Sequence, residues 1–357
     1  MTNSRLRDVA ELAGVSIRTV SNVVNGYAPV SEPTRLRVQA AVEQIGYRPN
    51  VLARNLKQGR SGLVALVVPE LDVPYFAELT RAVIGEARRQ GFTVVVDQTD
   101  GDPERERELI LTGSRGTLFD GVILSPMSLS QEDLVNHGPQ VPLVLLGERT
   151  ADGPFDHVGI DNAGAALAAT EHLFQIGRRR VAAIGDQPYE TGETAQLRTY
   201  GYRQAHLAAG RDVDERLIVG CAHFHREDGA RAMAQLLDGP GLAPDAVFCF
   251  NDLLALGALR TLLARGYRVP EDVAIIGFDN IEDGRYATPS LSTISPDKAQ
   301  IAHLAVARLT GRIHGAIDTA GTDQWADYQL VERETTSVRP AAGTPPAVPR
   351  RSSTRSR

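Results

Sequence analysis

Residues 6–26 read LRDVAELAGVSIRTVSNVVNG. The apolar residues at its start recur at helical spacing and predict a short amphipathic helix: Leu6, Val9, Ala10 and Ala13. Gly14 supplies the conformation with which helices commonly end, and Ser16 is a natural N-cap for a second helix from Ile17 to about Val24. Asn25-Gly26 is a turn signal that ends this second helix. Two short helices joined by a glycine-containing turn are typical of a helix-turn-helix.

A third helix is predicted after Ser31, which can cap it, with Pro33 in its first turn. The apolar residues expected to bury this helix against the other two are Leu36, Val38, Ala41, Val42 and Ile45. Together the three helices predict a small all-α head over residues 1–46.

The second helix carries side chains suited to reading DNA. Its outward positions are Ile17, Arg18, Thr19, Ser21 and Asn22. The second helix of this motif enters the major groove, where arginine can bind guanine, asparagine can bind adenine, and an apolar group can contact a thymine methyl. The short polar side chains suit phosphate oxygens: Ser16, Thr19, Ser21 and Asn25. Leu6 completes the predicted DNA-binding set of the head.

Charge is distributed unevenly along the 357 residues. The net charge of −6 combines +5 over residues 1–60, +4 over residues 341–357 and −15 over residues 61–340. A basic head on an acidic body indicates a polyanion-binding end. A chance fluctuation of surface charge, or a three-helix bundle with ordinary surface serines and threonines, is the plainer alternative. It leaves unexplained why the basic segment is also the one with the helix-turn-helix pattern.

Residues 47–60 link the head to the body. Pro49 can start a helix, and residues 50–57 have helical composition. A helix of about eight residues is marginal in water, so it is expected to fray without a partner. A passive linker would more naturally be rich in Gly, Ser or Pro.

The body alternates strands with helices. Predicted strands are Leu63–Val68, Thr93–Asp97, Gly121–Leu124, Leu143–Leu146, His157–Ile160, Val181–Ile184, Ala246–Phe250 and Val273–Gly277. Predicted helices are Phe76–Arg89, Pro103–Arg115, Gly164–Gln175, Leu197–Ala209, Arg226–Leu237 and Leu253–Arg265. This alternation predicts an α/β core of two doubly wound parallel sheets with a ligand cleft beyond the carboxyl ends of their strands. Residues 341–357 lack core-forming side chains and predict a disordered tail.

Several classes of protein are disfavoured. Apolar runs are far shorter than the roughly 20 residues of a membrane helix, and the N-terminus lacks the apolar core of a signal peptide. The two cysteines, Cys221 and Cys249, form no CxxC pair, which fits a reducing cytoplasm. Nucleotide-binding, hydrolase and metalloprotease motifs are missing, so neither catalysis nor a cofactor is expected. His223 and His225 stand two apart and are not expected to form a metal site.

The quoted head, followed by GYRPNVLARNLKQGRSGLVALVVPEL at residues 46–71, resembles the LacI/galactose-repressor family. The resemblance extends over nearly the whole chain and ends with LVERETT at residues 330–336. It implies that the linker folds on operator DNA and pairs with its twin in a dimer. Asn50 and Ala53 would then lie in the minor groove and Leu56 would wedge between the central base pairs. Asn55 stands where the family usually has serine.

The resemblance also implies a two-lobed core like that of periplasmic binding proteins. Lobe one would hold roughly residues 61–162 and 293–326, and lobe two roughly residues 163–292 and 327–340. The residues implied to line the effector cleft are Tyr75, Phe76, Thr194, Arg198, Phe224, Asn251 and Asp279. Each has a plainer reading, since Asn251 can cap a helix, Asp279 can cap a turn, and Phe76 and Phe224 can be core residues.

The predicted function is that of a cytoplasmic, homodimeric repressor of carbohydrate-utilisation genes. It would bind a palindromic operator in double-stranded DNA and respond to a small-molecule effector. Residues 187–196 read QPYETGETAQ, which is acidic and without arginine, and this favours a neutral sugar over an anion or purine. A regulator responding to a nucleobase or other metabolite, an activator, and a transporter-type sugar-binding protein are the alternatives. The last would need a signal peptide and would lack the head.

Overall fold

The computed structural model describes most of the head and core. The described residues are 6–25, 29–47, 60–111, 118–129, 133, 141–147, 155–187, 193–240 and 243–337. The chain divides into two compact units, Met1–Gly62 and Leu63–Arg357. The predicted linker contacts at Asn50, Ala53 and Leu56, and the predicted tail over residues 341–357, lie outside the described residues.

The first unit contains the predicted helix-turn-helix. Its helices are α1 (Leu6–Ala13), α2 (Ile17–Asn25) and α3 (Glu32–Ile45). Gly14 has φ +63°, the left-handed conformation expected at the end of α1. The Ser16 hydroxyl accepts a hydrogen bond from Thr19 N at 3.1 Å, so Ser16 caps α2 as predicted. The small core consists of Val9, Ala10, Ala13, Val20, Val38 and Ala41.

Two details of the third helix differ from expectation. Leu36 is 58% exposed and is not one of its buried contacts. Successive helical residues are rotated by about 100°, so Leu36, two positions before buried Val38, faces away from the core. Ser31 precedes the helix, but its hydroxyl makes no capping bond and instead donates to Thr34 Oγ1 at 3.0 Å.

The second unit is built on two six-stranded sheets. Its strands are β1 (Leu63–Val68), β2 (Thr93–Gln98), β3 (Gly121–Leu124), β4 (Leu143–Leu146), β5 (Asp156–Ile160), β6 (Val181–Asp186), β7 (Ile218–Gly220), β8 (Ala246–Cys249), β9 (Ala274–Phe278), β10 (Ser292–Pro296), β11 (Asp323–Ala326) and β12 (Tyr328–Val331). The first sheet has the order β11-β5-β4-β3-β1-β2 and the second β12-β10-β9-β8-β6-β7. All pairings are parallel except β10 with β12.

Helices flank both sheets, as buried parallel strands require. They are α4 (Pro74–Arg89), α5 (Pro103–Leu111), α6 (Asn162–Gln175), α7 (Glu193–Ala208), α8 (Arg226–Asp238), α9 (Asp252–Ala264), α10 (Glu282–Tyr286) and α11 (Lys298–Ile313). Helices α4 and α11 pack together beside the first sheet, while the pairs α6–α7 and α8–α9 pack beside the second. No helix among these described segments is long and apolar enough to cross a membrane.

Helices α8 and α9 approach so closely that glycine is required at their crossing. A Cβ at Gly257 would overlap the carbonyl oxygen of Arg226 and lie 2.8 Å from Ala230 N. A Cβ at Gly229 would meet the backbone of Leu254, with its Cα at 2.6 Å. The two missing side chains therefore let the helix backbones touch.

The chain crosses between the sheets three times within the described residues: between β5 and α6, between β10 and α11, and between β11 and β12. Strand β10 pairs with β9 through Thr293↔Gly277, so it belongs to the second sheet. The predicted lobe boundary before residue 293 is therefore wrong, and residues 293–296 belong to lobe two. Strand β10 forms hydrogen bonds with β9, so the chain passes from the second sheet to the first only after β10 ends. Antiparallel β12 follows from the last crossing, where only Asp327 separates it from β11.

Candidate functional site

A cavity of about 210 Å³ lies where the carboxyl ends of the strands of both sheets face each other. Its walls include residues that directly follow strands of both lobes: Pro69, Ser125, Gly147, Gln187 and Asp279. All seven residues implied by the family resemblance line this one cavity: Tyr75, Phe76, Thr194, Arg198, Phe224, Asn251 and Asp279. The location agrees with the rule that ligands of open α/β sheets bind beyond the strand ends.

Tyr75 and Phe76 form an aromatic wall on lobe one. Pro74 occupies the first turn of α4, where its fixed φ suits the helix start, and the two aromatic residues follow it. Their rings meet edge to face, with centroids 5.2 Å apart and planes 73° apart. Both are partly buried against the core, so Phe76 packs on the core, as its plainer reading suggested, and also lines the cavity.

Arg198 is held rigidly in the cavity wall of lobe two. Its side chain is buried, Nε donates to Asn162 Oδ1 at 2.8 Å, and Nη1 donates to the carbonyl of Phe250. The guanidinium lies 3.6 Å above the ring of Phe278, a cation–π geometry. A fixed planar fork of donors suits neighbouring hydroxyl or carboxylate oxygens. Thr194 stands in the first turn of the same helix, α7.

Asn251 is both a helix cap and a cavity residue. Its Oδ1 accepts from Leu254 N at 2.8 Å, so it caps α9, as its plainer reading suggested. Its Nδ2 donates to the carbonyl of Phe224 at 3.0 Å and holds the loop that carries that ring. The ring of Phe224 packs edge to face on Phe250 at 6.5 Å.

Asp279 reaches the cavity from an unusual turn. Asp279 and Asn280 have φ of +108° and +51°, which is rare for residues other than glycine and is sustained only by surrounding contacts. Asn280 supplies several of them: its Oδ1 accepts from Arg333 Nη2 at 2.6 Å and its Nδ2 donates to Ser295 Oγ at 3.0 Å. The backbone N of Asp279 donates to Ile294 O at 2.8 Å.

A second carboxyl, that of Asp252, supports the same turn from inside the protein. It accepts from Thr293 Oγ1 at 2.7 Å and from Ile281 N at 2.9 Å. Complete burial, and then the nearby charge of Asp279, hold the pKa of Asp252 well above its usual range. Asp252 therefore contributes to the site by fixing the turn that presents Asp279.

An ion pair on lobe one contacts this turn across the lobe boundary. Lys298 pairs with Glu78 and donates to the carbonyl of Asn280 at 3.3 Å. Glu78 Oε1 in turn accepts from Glu282 N at 3.2 Å. Lys298 Nζ also lies 5.7 Å from the centroid of Tyr75, so one lysine lies close both to this aromatic residue and to the turn that follows Asp279.

The sequence prediction missed several polar cavity residues: Glu70, Gln187, Glu193, His223 and His225. Most of them follow a strand or precede a helix at the same sheet edge, so a survey of every strand end would have found them. His225 Nε2 lies 2.8 Å from Glu70 Oε2 and joins the two lobes. The rings of His223 and His225 stack with centroids 5.6 Å apart. Within the described ranges, no group of three or more His, Cys, Asp or Glu side chains could hold a metal ion.

The candidate DNA-binding surface lies on the head. Ile17 is 50% exposed, Arg18 is exposed, and Thr19, Ser21 and Asn22 are half-buried on the same helix. Ser16 is exposed and Leu6 half-buried. Asn25 is the last residue of α2, and its side chain lies outside the described part of the structure.

A helix-turn-helix head with an exposed second helix, joined to a two-lobed core with a polar and aromatic cleft, defines a DNA-binding regulator with a ligand-sensing core. Sequence comparison agrees with both parts. The family of bacterial regulatory proteins, lacI family, matches residues 5–50, and the periplasmic binding protein-like domain matches residues 170–336. The transcriptional regulator DegA of Bacillus subtilis is 36% identical over 293 residues, which is 81% of this chain and 85% of that protein. The chain belongs to the LacI family, and it is a transcriptional repressor of that family.

Solved structures support the same conclusion. A LacI-family regulator from Sanguibacter keddieii is 45% identical, with a TM-score of 0.72 over 78% of this chain and 100% of that one. The complex of the regulator CelR with cellobiose is 34% identical, with a TM-score of 0.69 over 93% and 99% of the two chains. The Lac repressor dimer bound to operator and an anti-inducer is 26% identical, with a TM-score of 0.81 over 94% and 100%.

Proposed function

We propose that this repressor controls carbohydrate-utilisation genes in the cytoplasm and that a small sugar in the cleft between the lobes switches its affinity for a palindromic operator. The observation that carries the proposal is the composition of the cavity. Buried Arg198, Asn251 and Asp279 offer planar donors and acceptors beside the aromatic rings of Tyr75, Phe76 and Phe224. Vicinal hydroxyls on an apolar ring face are what such a wall recognises.

The charge of the cavity supports a sugar rather than an anionic ligand. Among the described residues that line it, Glu70, Glu193 and Asp279 carry carboxylates and Arg198 carries the one guanidinium. Anions would meet more carboxylates than guanidinium groups there. CelR, a related structure, was solved with cellobiose, which is consistent with a carbohydrate effector for this chain.

The protein acts on DNA as a homodimer in this proposal. Two heads related by a two-fold axis read two half-sites of a palindrome, and the related Lac repressor was solved as a dimer on its operator. Effector binding closes the cleft and releases DNA. The coupling is reciprocal, so operator weakens effector binding by the same factor as effector weakens operator binding.

Calorimetry on the full chain with a panel of neutral sugars and nucleobases tests the effector class. One sugar should bind, and Asp279→Ala should weaken it by about 2–5 kcal/mol, because the substitution removes a buried acceptor and leaves ligand hydroxyls unpaired. Asp238→Ala is the matched control, since Asp238 pairs with Arg265 outside the cavity. Binding of a nucleobase and no sugar would show that the effector class is wrong. Tight binding by Asp279→Ala would remove that residue from the site.

Operator titrations test the direction of the switch. The sugar that binds in calorimetry should lower operator affinity in a mobility-shift assay on a palindromic site selected by the protein from random DNA. An increase in affinity with sugar would make the effector a co-repressor. If the protein enriches no common sequence from the random DNA, the proposed binding to a palindromic operator is contradicted.

A further inference from the structure

We infer that Glu70 and His225 form a bridge across the rim of the cleft that limits the effector to a single sugar ring. This inference rests on the proposed sugar-sensing function. It assigns a specificity role to two residues that lie outside the set carried over from the family.

The position of the bridge sets it apart from the rest of the cavity. Glu70 follows β1 of lobe one and His225 precedes α8 of lobe two, so the 2.8 Å contact between Oε2 and Nε2 spans the cleft. Their side chains are 26% and 46% exposed, whereas Arg198, Asn251 and Asp279 are all buried. The buried residues therefore form the floor of the cavity and the bridge lies at its solvent edge.

Both loops that carry the bridge are anchored. On lobe one, Leu71 N, next to Glu70, donates to Gln98 Oε1 on β2 at 2.8 Å. On lobe two, Gln187 Nε2 donates to the carbonyls of Cys221 and Ala222 at 3.1 and 3.2 Å. Asn251 holds the carbonyl of Phe224, directly before His225. Anchored loops place the two side chains opposite each other at little further cost in conformational entropy.

The imidazole of His225 is also held in place. His225 stands at the N-cap of α8, yet its side chain makes no capping hydrogen bond, which leaves the ring directed at Glu70. His223 stacks on it with planes 15° apart and lines the cavity beside it. Two parallel rings and one carboxylate thus form the rim on this side.

The size of the enclosed space follows from this rim. The cavity measures about 210 Å³, below the roughly 300–1,000 Å³ of pockets that hold drug-sized ligands. On this side of the cavity, a second sugar ring attached to the first would extend past the floor residues and pass between Glu70 and His225. The bridge therefore selects against disaccharides by occupying that space. This steric effect does not depend on the stability that the pair contributes, which is small for an exposed ion pair.

Calorimetry with glucose, galactose, ribose, cellobiose and maltose on full-length wild type, Glu70→Ala and His225→Ala tests the bridge. Wild type should bind one monosaccharide at least about tenfold more tightly than either disaccharide. Either substitution should narrow this ratio to about threefold or less by strengthening disaccharide binding. His303→Ala is the matched control, because His303 lies 3.3 Å from Glu86 in another His–Glu pair outside the cavity. The ratio of monosaccharide to disaccharide affinity in this variant should stay that of wild type.

The outcomes distinguish a failure of the size limit from a failure of the proposed sugar effector class. Equal binding of a disaccharide and its monosaccharide by wild type would overturn the size limit alone, as would bridge variants that lose both ligands in parallel. Failure of all five sugars to bind would overturn the proposed effector class and the size limit together. Thermal unfolding of each variant verifies that the fold persists, and the use of two substitutions on opposite lobes keeps the test valid if one of them unfolds the chain.

Discussion

Replacing Gly257 with alanine tests how far the crossing of α8 and α9 determines the cleft. An alanine in a helix interior normally stabilises by about 0.5–1 kcal/mol relative to glycine. Here the new methyl group would overlap Arg226 O and lie 2.8 Å from Ala230 N, both backbone atoms that no rotamer change can move. Overpacking of this kind costs about 1–3 kcal/mol, at the upper end where backbone must shift. We expect a net loss of about 2 kcal/mol in the free energy of unfolding.

The same displacement should reach the ligand site. Helix α9 begins after Asn251 and α8 begins after His225, so separating the two helices moves two cavity residues. Effector affinity should fall together with stability. Urea denaturation at one fixed chain concentration measures the first effect, and calorimetry with the sugar bound by wild type measures the second.

Gly85→Ala is the matched control for this substitution. Gly85 lies within α4, and a Cβ there would have no atom within 4 Å. This variant should gain about 0.5–1 kcal/mol and keep wild-type ligand affinity. The reasoning would be refuted if Gly257→Ala proved as stable as Gly85→Ala, since the helices could then separate without cost.

Three further predictions concern the head, the lobe contact and pH. Arg18→Ala should lower specific operator affinity by about 1–3 kcal/mol while sparing scrambled DNA in mobility shifts, and equal losses on both DNAs would make it a phosphate contact. Lys298→Met should destabilise by about 1–3 kcal/mol in urea, because it removes the cation that pairs with the carboxylate of Glu78. A second substitution, Glu78→Gln, should recover part of this loss, and additive losses would contradict the coupling. Burial raises the pKa of Asp156, but hydrogen bonds from Arg312 and Arg308 outweigh the effect of burial. They hold the pKa of Asp156 below its usual value. A lowered carboxyl pKa stabilises the fold above about pH 4 and ceases to do so as the pH falls through it. The difference in unfolding free energy between wild type and Asp156→Asn should therefore shrink from pH 6 to pH 3, and a constant difference would contradict this.

Much of the fold was predictable because its signals are local. The strands Leu63–Val68, Gly121–Leu124 and Leu143–Leu146 are continuous apolar runs and appear with the predicted bounds. Helices α1 and α2 likewise begin where the apolar period and Ser16 place them. These elements are determined by their own side chains.

Two of the missed strands, β10 and β11, depend on pairing with strands elsewhere in the chain. Strand β10 reads STISP and β11 reads DQWA, and neither is a sustained apolar run. They form because an existing strand, β9 or β5, offers a free edge. The same reason explains the misplaced lobe boundary at residue 293.

The residues of the site likewise include some that the sequence indicated and some that only the structure shows. The family resemblance indicated Arg198, Asn251 and Asp279, which the structure brings to one cavity. The bridge between Glu70 and His225 joins residues 155 positions apart on different lobes, and no local pattern relates them. Nor does the sequence show that Lys298 would contact the turn beside Asp279.

The late pairing of β5 with β11 has a consequence for synthesis of the chain. Asp156 and its partner Thr322 are 166 positions apart, so at about 5–20 residues per second a ribosome needs roughly 10–30 s to supply the strand that covers the edge of β5. The head, a separate compact unit at the N-terminus, has emerged long before then. Any interruption of translation in this interval yields a nascent or truncated chain with a complete DNA-reading head, an uncovered sheet edge and no finished sensor. Such fragments would be prone to aggregate through that edge, so their rapid degradation would prevent aggregation in the cell.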